Sequence, residues 1–307
     1  MKAFFQKIVR SSGWLFSRAG FFYLAVFLAM GMFIDIEKIW GNARIRSMNR
    51  IMPLFEDLAS NLVAGKSLTF DQWQEYALYY QKISELIPAD PGAYFFLGYC
   101  LSHLNREEEA LSNFEKAVQK APGVFWFEYN LAMAYYKKAD YEKAGEFFRR
   151  SIDSGAAAAQ FYMRNSTLYK QVLASALRQG FDPETSFNAS FAHAHIMTAR
   201  CLYELGKYDQ AIQLAYYHLR RGLGAPQDYY YLIALSLKAT GKLTDMMSVL
   251  QLLLKHDPDH LGAWQMMREF FIRVQDLENV KRAELKLEYL RKDGPDVDKA
   301  VRQQKLM

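Results

Sequence analysis

The chain has 307 residues, is 51% hydrophobic and 15% aromatic, and carries a formal net charge of +5. So small a charge, with acidic and basic residues interleaved, excludes a nucleic-acid-binding stripe as its organising surface, and no Gly/Ser- or Gln-rich tract marks a long disordered linker. Two cysteines, Cys100 and Cys201, are too few for a disulfide framework and leave the compartment open.

Residues 1–13 form a basic segment. Lys2, Lys7, Arg10 and Arg18 all precede the first acidic residue, Asp35. Residues 19–34, AGFFYLAVFLAMGMFI, then run without a charge. As a helix they span roughly 24 Å, a little short of a ~30 Å hydrocarbon core. Adding Trp14, Leu15 and Phe16 and letting Arg18 reach the headgroups makes up the difference. Trp14 and Trp40 stand where interfacial aromatics belong. The pattern predicts a transmembrane anchor over residues 14–36, with a cleaved signal peptide as the competing reading. Orientation is close to a tie, because Lys38, Arg44, Arg46 and Arg50 match the four basic residues of the first flank. Arg18 against the span and the lack of acids before it favour a cytoplasmic N-terminus. The expectation is therefore a single-pass protein of a bacterial inner membrane with its main domain periplasmic; a cytoplasmic domain stays open. Residues 37–56 read as a juxtamembrane linker, either a surface-lying basic helix or a simple stalk.

From residue 57 a pattern recurs. In 91–124, Tyr94, Leu97, Gly98 and Leu101 share one helical face, and Ala110, Phe114 and Ala117 form the stripe of a second helix that ends before Pro122. Gly98 and Ala110 are small enough for close backbone approach, and Asn105 with Glu108 reads as an N-cap and capping box for the second helix. Thirty-four residues on, Leu131, Ala132, Tyr135, Ala144 and Phe148 occupy the same marks. Later copies carry Ala199, Leu202 and Ala211 around the turn Leu205–Gly206–Lys207–Tyr208; then Tyr230, Ile233, Ala234, Leu237, Leu250, Leu253 and Pro258; then Trp264, Met267, Phe271 and Val280. Upstream, Val63, Ala64, Ile83 and Pro88 mark a degenerate copy.

These landmarks resemble the tetratricopeptide repeat, W-x2-L-G-x2-Y…A-x3-F…P over 34 residues. The resemblance covers residues 57–158 and 192–294. It implies an all-α chain, a right-handed α-solenoid of helix-turn-helix repeats preceded by one N-terminal transmembrane helix. Residues 159–191 interrupt the array, either as a degenerate repeat that keeps it in phase or as a loop folded into the groove; within them, residues 180–186 (GFDPETS) read as a loop. The helix over 277–291 suits a polar terminal cap, and residues 295–307 a polar tail.

The chain offers little chemistry. There is no phosphate loop, nucleophile elbow or H-E-x-x-H. His193 and His195 lie two apart and do not share a helical face, and the run from His256 to His260 falls on an inter-repeat turn. No enzyme, metal, cofactor or small-molecule substrate is expected. The resemblance instead implies a concave groove lined by first helices: Phe95, Phe96, Tyr99 and His103; Trp126, Tyr129, Asn130, Met133 and Tyr136; Ile196, Met197, Arg200 and Tyr203; and Tyr231, Leu232 and Leu235. Members that hold acidic chaperone tails present Lys and Asn where this chain has Phe95 and Tyr99, so such a clamp is not expected. An apolar groove suits an amphipathic helix or an extended hydrophobic peptide of a protein partner. The implied role is a membrane-anchored scaffold in an envelope assembly such as secretion, pilus, motility or polysaccharide export. The alternative is an obligate structural subunit whose faces are covered by neighbours.

Overall fold

The computed structural model describes residues 68–165 and 183–292, with side chains over 68–155 and 188–292. All lie in one of the chain's two compact units, Ser60–Met307. The expected basic segment, anchor, juxtamembrane linker, first degenerate helix, polar tail and core of the interruption lie outside the described residues. Among the described residues no helix is long and apolar enough to cross a membrane.

The described elements are α1 (Phe70–Leu86), α2 (Pro91–His103), α3 (Glu107–Lys120), α4 (Phe125–Lys137), α5 (Tyr141–Asn165), α6 (Pro183–Glu204), α7 (Tyr208–Arg220), α8 (Pro226–Ala239), α9 (Leu243–His256), α10 (Leu261–Arg273) and α11 (Leu277–Lys292). α1 is the second helix of the degenerate copy, with Ile83 fully buried. Its Thr69 makes a complete capping box with Gln72. The other helices form the pairs α2–α3, α4–α5, α6–α7, α8–α9 and α10–α11.

One backbone device turns every pair. Asn105, Ala139, Gly206, Gly241 and Gln275 have φ of 57°, 60°, 72°, 74° and 60°. The next amide donates back to a first-helix carbonyl: Arg106 to Leu101, Asp140 to Tyr135, Lys207 to Leu202, Lys242 to Leu237 and Asp276 to Phe271, at 2.9–3.0 Å. The left-handed residue's own amide reaches Ser102, Tyr136, Tyr203, Lys238 or Ile272. This is a Schellman stop, which satisfies carbonyls that the helix end would leave bare. Asn105 is therefore a left-handed stop and not the expected N-cap. That position falls to Arg106, which makes no side-chain cap bond and pairs instead with Glu109 at 2.6 Å.

The pairs pack through small-against-large contacts. A Cβ at Gly98 would stand 2.9 Å from Phe114 Cδ1 and 3.1 Å from the Ala110 carbonyl oxygen. The expected close approach is therefore present. α5 is broken at Gly155 (φ 60°, ψ −176°), where the second helix of its repeat ends. Beyond the interruption, α6 begins at Pro183, so residues 183–186 are helical where a loop was expected. A proline suits a helix's first turn, having no amide proton to leave unpaired and a φ already helical. The solenoid continues from α5 to α6: a Cβ at Gly145 would lie 3.4 Å from Cys201 Cβ, and Phe125 and Phe191 rings are 6.3 Å apart. Cys100 and Cys201 are both buried free thiols.

The last described pair departs from the internal ones. Where internal second helices carry Phe114, Phe148, Ala215 and Leu250, α11 has Glu284, bonded to Arg268 at 2.8 Å. The buried residues of α11 are Ala283, Leu287 and Leu290, and Lys286 pairs with Asp259 at 2.6 Å.

Candidate groove on the first helices

The predicted groove residues divide by depth. Phe95, Tyr129, Met197 and Leu232 are 4–7% exposed and belong to the core. Phe95 sits among Phe96, Phe114 and Phe127, with the Phe127 ring centroid 4.9 Å away. These four have little surface to offer a partner. Phe96, Tyr99, His103, Trp126, Asn130, Met133, Tyr136, Ile196, Tyr203, Tyr231 and Leu235 are half-buried, and Arg200 is exposed. Half-burial is what an open groove wall requires: one edge of the side chain is fixed by packing and the other is left to water.

The amino-terminal half of this surface is a connected aromatic sheet. His103 stacks on Trp73 of α1 at 4.1 Å, with planes 3° apart. Tyr99 meets the Trp73 ring edge-on at 6.0 Å, and Phe96 stacks on Tyr80 at 5.0 Å. Trp126 packs edge-on against Phe125 and Tyr129. The packing also sets the charge. Burial pushes the Tyr99 and Tyr136 hydroxyls up to about 12, and raises Tyr129 as well. Burial lowers His103, with Lys137 adding to the effect; His193, exposed on one side, is lowered by desolvation of the side turned to Tyr129, with Arg200 adding. Near neutral pH these hydroxyls and imidazoles are therefore uncharged.

Between the repeats the groove becomes polar. Tyr129 Oη and His193 Nδ1 share a hydrogen bond of 2.8 Å from α4 to α6. Tyr136 Oη donates to Glu204 at 3.0 Å, and Glu204 faces Arg200 at 4.0 Å. Asn130 spends its amide on the Trp126 carbonyl at 2.8 Å, which orients it on its own helix. Farther on, Tyr203 packs on Tyr208, and Tyr231 packs on His260 and against Gly262. Lys238 pairs with Glu269 between α8 and α10.

Sequence reasoning missed two residues here. Trp73, buried on α1, packs against His103 and Tyr99 from the degenerate copy, whose landmarks Ile83 and Pro88 assign it no groove position. His193 sits 67 residues after Trp126, at the equivalent place in its own helix, and that spacing was the available signal. The other histidines are structural. His195 is buried against His218, and His260 caps α10 by accepting the Ala263 amide at Nδ1, 3.1 Å. Among the described residues no group of three or more His, Cys, Asp or Glu could hold a metal ion.

Residues 91–122 and 129–154 match the family model described as tetratricopeptide repeat. No curated protein matches the chain. Among solved structures, the chain is similar to YrrB, described as a TPR protein with an unusual peptide-binding site: 17% identity over 70% of this chain and 93% of that one, TM-score 0.44. It is similar to residues 41 to the end of MamA from Desulfovibrio magneticus RS-1, at 15% identity over 66% and 97% of the two chains, TM-score 0.47. A tetratricopeptide repeat protein from Parabacteroides merdae ATCC 43184 gives 15% identity over 85% and 98%, TM-score 0.40. The matched segments are the α2–α3 and α4–α5 pairs, and the same Schellman-turned pair recurs three times after them: this chain carries tetratricopeptide repeats.

Proposed function

We propose that this chain is a non-enzymatic scaffold, held at a membrane by residues 14–36, whose groove takes up an apolar helix or extended peptide of a protein partner. The observation that carries it is the row of half-buried aromatics on successive first helices, Tyr99, Trp126, Tyr136, Tyr203 and Tyr231, rigid and edge-exposed. Such side chains give large contact area at small entropic cost and make good binding anchors. The groove's uncharged hydroxyls and imidazoles suit an apolar ligand better than an acidic one. The charge-free run at 19–34 between Trp14 and Trp40 supports the anchor, and the acid-free basic flank supports a periplasmic repeat domain on a bacterial inner membrane, in service of an envelope assembly.

The test is an affinity purification of the full-length protein from detergent-solubilised membranes, beside Trp126→Ala/Tyr136→Ala. Both changes lie on the groove surface and leave the core intact. Defined partners present with wild type and lost with the double variant support the groove. Partners that survive the double variant overturn it. Release of the full-length protein from membranes by alkaline carbonate would overturn the anchor independently.

A further inference from the structure

The outward face of α11 carries an ordered row of exposed side chains. Ala283, Leu287 and Leu290 bury one side of this helix against the array. On the opposite side Glu278, Lys281, Leu285, Glu288 and Lys292 recur at alternate steps of three and four, the spacing of a helix–helix seam. All five are exposed, and Glu288 and Lys292 pair with each other at 2.5 Å within the helix, an exposed pair that a second copy can exchange. Leu285, at 68% exposure, stands at the centre of this face, with Tyr289 (48%) one turn on and Leu277 (73%) at the start of the helix. These are three of the exposed large hydrophobics, carried together by the one helix that no further repeat follows among the described residues.

The order of charges fixes what can cover this face. Read along the helix, the seam is Glu, Lys, Leu, Glu, Lys. A second α11 laid parallel and in register sets Glu on Glu and Lys on Lys. Laid antiparallel about Leu285, every position meets its complement: Glu278 faces Lys292 of the second copy, Lys281 faces Glu288, and Leu285 faces Leu285. A twofold interface doubles each such contact, because residue i meeting j implies j meeting i.

We propose that two copies of this chain associate tail to tail through an antiparallel α11–α11 seam centred on Leu285. The dimer presents two repeat arrays, each with its own groove, and depends on nothing assumed about what the grooves hold. The charged rim sets orientation and register, and Leu285 with its apolar neighbours supplies the desolvated centre.

The test uses the full-length protein in mild detergent, by sedimentation equilibrium, with Lys281→Glu, Glu288→Lys and the double exchange Lys281→Glu/Glu288→Lys. These side chains are exposed, so the fold is not at risk, and circular dichroism confirms it. Wild type is expected to dimerise reversibly. Each single exchange sets like charges together twice and weakens the dimer by about tenfold or more. The double exchange restores it to within about threefold of wild type, and an equimolar mixture of the two single variants forms a heterodimer. In parallel, Leu285→Cys forms a symmetric disulfide under mild oxidation, the native Cys100 and Cys201 being buried. A wild type that stays monomeric overturns the proposal. So do single exchanges that dimerise unchanged, a double exchange that fails to restore association, or a Leu285→Cys chain that does not cross-link.

Discussion

Removing Arg150 should damage this fold far more than its position near the surface suggests. Glu128 is 2% exposed, on the second repeat's first helix. Its Oε1 accepts from Arg150 Nη2 at 3.0 Å and from the Gly123 amide at 3.2 Å, while Oε2 is buried without a partner among the described residues. Arg150 is 40% exposed and also lies over the Phe147 ring at 4.7 Å. Replacing it with Leu leaves a buried carboxylate with one amide for company, which costs about 3–5 kcal/mol. Glu128→Gln returns the guanidinium to water and keeps the amide bond, so it should cost only about 1 kcal/mol. The double change Glu128→Leu/Arg150→Leu removes both charges and should cost less than Arg150→Leu alone. By contrast, breaking the half-exposed Lys137–Glu107 pair, 3.2 Å long, should cost at most about 1 kcal/mol. Urea unfolding at pH 7 followed by circular dichroism measures all of these. An Arg150→Leu chain within about 0.5 kcal/mol of wild type would falsify the reading that the buried Glu128 carboxylate depends on this one cation.

Two further predictions test packing and titration. Gly98→Ala gains about 1 kcal/mol of helix propensity but drives a methyl to within 2.9 Å of Phe114 and 3.1 Å of a backbone oxygen that cannot yield cheaply. The overpacking, about 1–3 kcal/mol, should win, lowering the unfolding midpoint, and Phe114→Leu should relieve it in the double variant; a stabilised Gly98→Ala chain refutes this. Stability should also fall in mild acid. His218 is buried, and burial with His195 beside it pushes its imidazole down to about 4, while its unfolded value is near 6.5. Between those values only the unfolded chain takes up this proton. The stability is thus full above pH 6.5 and lost at up to about 1.4 kcal/mol per pH unit down to about pH 4. His195, shifted the same way by burial, adds to the slope. Thermal midpoints from pH 7.5 to 4.5 check it, and a flat profile sinks it; His218→Leu should shallow the decline.

The repeats were readable because their landmarks are the contacts. Gly98 and Phe114 touch, Ala110 supplies the backbone oxygen beside them, and the acceptors of the turn bonds are the landmark residues Leu101, Tyr135, Leu202, Leu237 and Phe271. The turns were only half readable. Gly206 and Gly241 announce a left-handed residue. Asn105 serves equally well as an N-cap or as a left-handed stop, and was assigned to the wrong one. Ala139 and Gln275 carry no local signal: their conformation is imposed by the need to satisfy a helix end between two packed helices. The same holds for Pro183, whose neighbours Gly180, Asp182 and Ser186 spell a loop, though proline is equally at home in a helix's first turn.

The groove shows what a period can and cannot encode. Register assigns a residue to a helical face, and most of the predicted residues do reach an accessible surface. Depth on that face depends on the sizes of neighbours from other repeats, which no period contains. Phe95 and Phe96 are adjacent in sequence, yet Phe95 is sealed by Phe114 and Phe127 while Phe96 keeps an open edge against Tyr80. Tyr129 is buried where α6 packs on the α4–α5 pair and brings His193 to its hydroxyl. The continuity of the stack across the interruption therefore does more than extend the array. It draws Tyr129 out of the groove surface and into the core, and it places His193, Arg200 and Glu204 within reach of the aromatic wall. On the proposed function, a ligand that runs the length of this surface passes from half-buried aromatic rings to the Arg200–Glu204 pair at that junction.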